Sequence, residues 1–160
     1  MGSLDEFSWK MSLFLRTYRW RVVDPVPWIA LRLPLSRARV AIVSSAGFVL
    51  PGQKPFDDSV KGGDWSFREI PAATDPHLLM ETHRSRSFDH SGIREEPDLA
   101  FPLETLHELA QEGSIGAVAP RHVSMMGSIT APGRMLRETA PRVTELLHTD
   151  SVDAVLLVPV

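Results

Sequence analysis

His83, His90 and His122 are the residues in this 160-residue chain whose types best suit chemistry near neutral pH. Two of them lie in "THRSRSFDHS", with Asp89 beside the second. Imidazole and carboxylate groups ligate metals, and imidazole takes up or gives a proton. His83, His90 and His122 are therefore candidate metal ligands and, with Asp89, candidate substrate- or proton-handling groups. Six residues separate His83 from His90, a spacing that fixes no geometry, unlike a HExxH pair on a helix. Structural hydrogen bonding is the competing role. Arg121, next to His122, could receive a substrate carboxylate bidentately, with an ion-paired arginine as the alternative. His107 falls in a predicted helix and His148 near a helix end, where surface or capping roles are expected. His77, beside Pro76, is uninformative.

Other chemistries find less support. The chain has no cysteine, so no disulfide, thiolate ligand or thiol nucleophile exists within it. Gly62-Gly63 and Gly113-x-x-Gly116 match neither the Walker nor the dinucleotide pattern. Ser44-Ser45 lacks the G-x-S-x-G elbow of hydrolases.

The elements that must position these residues follow from periodicity. "ARVAIVSSAG" is a β-branched run closed by Ser and Gly, a buried strand and its turn. "FVLPGQKPFDDSVKGGDWSF" carries Pro and Gly throughout and reads as loop. "SFREIP" and "LLMETH" suit short strands, and "HRSRSFDHSGIREEPD" a surface loop. "FPLETLHELAQEG" is a helix with Pro102 in its first turn and Gly113 at its C-terminal cap. "SIGAVAP" reads as a short buried strand ending at Pro120. "GRMLRETAPRVTELLHTD" is helical, kinked or restarted at Pro141. "VDAVLLVPV" is the last strand.

This order predicts an α/β fold, a partial doubly wound and mostly parallel sheet with an irregular N-terminal arm. The arm is residues 1–37, with Phe7, Met11, Phe14, Leu15 and Tyr18 on one side of a helix and an extended Pro-rich stretch after it. The α/β domain is residues 38–160. Ligands favour the C-terminal strand ends of open α/β sheets. Ser44, Ser45 and Gly47 after the first strand, Arg121 and His122 after the second, and His83, Asp89 and His90 in the loops are thus the candidate substrate-binding residues.

Apolar residues make up 43% and charged residues 23%, a soluble globular composition. A net charge of −3 offers no basic excess for nucleic acid. No apolar run is long enough to span a membrane, and the N-terminus lacks the plan of a secretion signal. A cytoplasmic location is expected, and a small-molecule substrate is the expected partner.

Several stretches together resemble one family. "RVAIVSSAGFVL", "KPFD", "GDWSFREIP", "FDHS", "FPLETLHELAQEGSIGAVAPRHVSMMG" and "ETAPRVTELL…DSVDAVLLVPV" are similar to the selenoprotein B components of glycine, sarcosine, betaine and D-proline reductases. The D-proline reductase branch, with its shorter chain, is the most similar. The resemblance covers residues 38–160 and is most specific from Phe101 to Gly127. It implies an oxidoreductase that reductively cleaves an activated carbon–nitrogen bond of a small amino-acid-like substrate. Its attacking group would be a selenocysteine or cysteine placed directly after the segment matching "VDAVLLVPV". It also implies electrons from a dithiol or redox protein, and reductase partner subunits or a homo-oligomer.

No cofactor is firmly implied; a metal ion at the histidines is a separate expectation. No residue of this chain is then the nucleophile. The expectation is that selenocysteine, encoded by UGA, follows Val160, and that the rest of the α/β domain lies beyond it. A deliberate chain end, a true stop or processing are the alternatives. A non-catalytic binding module and a histidine-based metal enzyme remain as competing functions.

Overall fold

Val40, Ala41, Ile42 and Val43 follow one another in Arg39–Ser44 (β1), and all are buried. Such a run suits a strand covered on both faces. In the computed structural model, which describes residues 8–18, 22–85 and 90–160, β1 is the axis of the main sheet. One edge carries Ala154–Val158 (β7) in parallel, with Val40 opposite Ala154 and Ser44 opposite Val158. The other edge carries two short parallel strands, Ala117–Val118 (β5) and Arg121–Met125 (β6). Phe67–Pro71 (β3) adds outside β6 and runs antiparallel. Phe48–Val49 (β2) and Met80–Glu81 (β4) form a separate antiparallel pair.

The strand expected to end at Pro120 instead resumes and runs on to Met125. Proline has no N–H for the ladder, so pairing breaks after Ala119 N–H donates to Val40 O (2.9 Å). The Ile42 N–H then donates to a side chain, His122 Nδ1, at 2.9 Å. Backbone pairing returns with Val43 opposite Val123. Arg121 and His122 therefore belong to a strand, not to the loop beyond its end.

Helices cover both faces, in agreement with the expected α/β class. Leu103–Gln111 (α3) buries Leu103 and Leu106 in a cluster with Val40, Ile42, Phe48 and Phe101. Ala140–Thr149 (α4) places Val143 and Leu146 against Val43 and Val123, which point to the opposite face. Asp98 caps α3, accepting from the N–H groups of Glu104 and Thr105 at 2.8 and 3.2 Å. Before α4, Met135–Thr139 forms a π-helical turn in which Ala140 N–H donates to Met135 O, five residues back. This wide turn accommodates Pro141, which the sequence reading expected to kink or restart the helix.

The segment read as pure loop contains a short helix, Ser91–Glu95 (α2), and a 3-10 turn, Pro97–Leu99. Ile93, which packs on the α3 side of the core, is the apolar contact that orders it. Asp89 and Phe88 lie outside the described residues.

The chain divides into two compact units, Met1–Ala30 and Leu31–Val160. The first contains Trp9–Thr17 (α1), with the Phe14 and Tyr18 rings 5.3 Å apart. Phe7, and the side chains of Met11 and Leu15, fall outside the description. Among the described residues, no helix is long and apolar enough to cross a membrane.

Candidate active site

β1 and β7 end side by side, and Ser45 ties the ends together. Its N–H donates to Val158 O (3.0 Å), its Oγ accepts from Val160 N–H (2.9 Å), and its carbonyl accepts from Gly127 N–H (2.8 Å). Gly47, at φ +72°, turns the chain away. A Cβ there would stand 3.1 Å from the His83 backbone, so the close approach depends on glycine. Thr82 fixes the crossing by donating its N–H and Oγ1 hydrogens to Gly47 O, at 3.0 and 2.7 Å.

His83 is thereby delivered to the strand ends. A methyl group on Gly127 would lie 2.6 Å from His83 Nε2, 2.9 Å from Val160 O and 3.1 Å from Ser45 O. The imidazole, the last carbonyl of the chain and the end of β1 thus converge on one glycine.

Beneath them lies Glu81, whose side chain is 1% exposed. It accepts from His83 N–H (2.5 Å), stands 3.1 Å from His90 Nδ1 and pairs with Arg94 (2.8 Å). His90 Nε2 meets Ser85 O at 2.5 Å, and the His83 and His90 rings are 6.3 Å apart. His83 Nδ1 accepts from Ser85 N–H (3.2 Å), so the neutral ring carries its proton on Nε2. Burial pushes the His83 pKa below the usual histidine value, against the opposing pull of Glu81.

The remaining candidates lie elsewhere. Ser44 is buried, and its Oγ donates to Ala100 O (2.6 Å), a bond that holds the approach to α3. Arg121 sits at the start of β6, the end of the sheet away from Ser45 and Val160. Its guanidinium is bonded to Asp150 at 2.7 and 2.9 Å and to Glu69 at 3.0 Å. Those bonds, Asp150 first, raise its pKa. A guanidinium with two carboxylates already in place is an ion-paired arginine, the alternative to a substrate clamp.

His122 is fully buried, edge-on to Phe101 with ring centroids 6.1 Å apart. Its Nε2 has no hydrogen-bond partner among the described residues. Burial lowers its pKa to about 4. Among the described residues, no three His, Asp or Glu side chains gather to hold a metal ion. Glu81 and Gly127 escaped the sequence reading. Their only signals were the Glu81-x-His83 spacing and a glycine two residues past a strand.

The family model for glycine/sarcosine/betaine reductase selenoprotein B matches residues 10–160. The chain belongs to this selenoprotein B family. It is 31% identical over 136 residues to D-proline reductase subunit gamma of Acetoanaerobium sticklandii, covering 85% of this chain and 54% of that protein. It is 27% identical over 144 residues to sarcosine reductase complex component B subunit beta of Peptoclostridium acidaminophilum, covering 90% and 33%. Glycine reductase complex component B subunit gamma of the same organism is 30% identical over 125 residues, covering 77% and 28%. The selenoprotein B match therefore spans about half of one relative and a third or less of the others. No solved structure matches the chain.

Proposed function

We propose that this selenoprotein B chain supplies part of a reductase subunit that cleaves a carbon–nitrogen bond of a small amino-acid-like substrate. The attacking selenol or thiol is carried by a residue that follows Val160. The observation that carries the reading is the convergence of Val160, Ser45, Gly127 and His83 at the strand ends. A residue placed after Val160 would enter a site already furnished with a buried imidazole.

In this reading the selenolate or thiolate attacks the carbon, and the C–N electron pair leaves with nitrogen. The proton that the departing amine takes up is the one the selenol or thiol has lost, and the neutral His83 ring, with hydrogen on Nε2, is suited to donate a hydrogen bond to that nitrogen. A dithiol then supplies two electrons and two protons and becomes a disulfide: the bond between carbon and selenium or sulfur breaks, the carbon takes one proton, and the other restores the selenol or thiol. Partner subunits, as the names of the relatives include reductase complexes, would deliver that reductant.

The deciding experiment is to read the native coding sequence beyond the Val160 codon. An in-frame UGA or cysteine codon followed by further open frame is expected. A UAA or UAG codon with no coding frame after it would overturn the proposal.

A further inference from the structure

A groove of about 630 Å³ opens between the loop around Gly63 and the segment leading into α4. Lys61 and Trp65 form one wall; Gly133, Arg134 and Arg137 form the other. The Arg134 guanidinium lies over the Trp65 ring, 4.3 Å from its centroid. Arg137 folds back over Gly133, where an added Cβ would meet its Nη1 at 3.3 Å. Among the described residues, no carboxylate lines the groove and none comes within 4.0 Å of Lys61, Arg134 or Arg137. Arg94 and Arg121, by contrast, both pair with acids.

The walls are built to stay in place. Gly62 and Gly63 have φ of +87° and +102°, and Cβ atoms there would stand 2.5 Å from Ala131 and 2.9 Å from Ile129. Ala131 N–H donates to Gly62 O (3.1 Å), and the buried Thr139 hydroxyl donates to Trp65 O. Three cations with no acid within 4.0 Å among the described residues, one of them lying over an indole, therefore face the cleft. Its volume falls within the range of about 300–1,000 Å³ common to small-molecule sites.

We propose that this groove binds the oxyanion group, carboxylate or phosphate, of a small molecule. A guanidinium stacked on an aromatic ring keeps its N–H edge free for a bidentate pair with such a group. The proposal is independent of the reductase reading.

The test is isothermal titration of the full chain at low ionic strength with inorganic phosphate and, separately, malonate. Saturable binding of at least one is expected, with a change in Trp65 fluorescence that Trp65→Phe removes. Arg134→Gln should weaken that binding about tenfold or more. Lys61→Gln, which removes a charge from an exposed side chain, should weaken it less but measurably. Phosphate-only binding assigns a phosphorylated ligand and malonate-only binding a carboxylate; either supports the site. Flat isotherms with both anions, or unchanged affinity in both variants, would overturn it.

Discussion

Gly127 and His122 carry the sharpest consequences of single atoms. A methyl group at Gly127 has nowhere to go, because a ring nitrogen and two backbone carbonyls already surround it. Gly127→Ala should therefore lower stability by about 1–3 kcal/mol in urea unfolding, the usual cost of overpacking. A variant as stable as the parent would show that the strand ends are looser than described. His122 makes a prediction about acid. Its folded pKa of about 4 lies below the ordinary 6.5, so the unfolded chain takes up the proton first as pH falls. The stabilisation is fully present above pH 6.5 and is lost as pH falls toward 4, about 3 kcal/mol in all. His83, shifted in the same direction by burial, adds to this slope. In His122→Asn an amide oxygen can still accept from Ile42 N–H, but nothing titrates. Its stability should fall less steeply between pH 7 and pH 5, and parallel curves would contradict the assignment.

At the scale of elements, periodicity served where one face of a segment meets the core. β1, α3 and β7 were legible because β-branched runs and i, i+3 spacing answer directly to burial. The continuation of β6 was not, since "PRH" is polar and begins with proline. Only the tertiary partner, an Ile42 N–H in search of an acceptor, makes a strand of it. The candidate site was legible at Ser45 and Gly47 because they follow a recognisable strand, whereas His83 was legible only by its residue type, and folding brings it to the strand ends. Arg121 was less legible, because Asp150 and Glu69 are remote in sequence and only folding brings them to it. Arg121 joins the start of β6 to the segment before β7, so Arg121→Gln should lower the melting temperature. The loss should shrink at about 1 M salt, where Debye screening is short. An unaltered melting temperature would return Arg121 to the pool of free cations.

Across the whole molecule, β7 is an edge strand whose Val155, Leu156 and Leu157 are all exposed. Apolar side chains on successive residues belong to strands covered on both faces, and an open edge of this kind recruits other strands. The 160-residue chain should self-associate as its concentration rises in sedimentation, and Leu157→Lys should reverse this. A wild-type chain that stays monomeric throughout would contradict the prediction. The middle of the sheet holds a subtler weakness. Where Val43 and Ser44 lie in the backbone ladder opposite Val123 and Ser124, the rung at Ile42 ends on an imidazole. Protonating that nitrogen takes away its lone pair, so the amide hydrogen of Ile42 should surrender to deuterium near pH 4 while Val43 and Ser44 still resist. The sheet would then begin to breathe from its centre, along a seam that one proton can open.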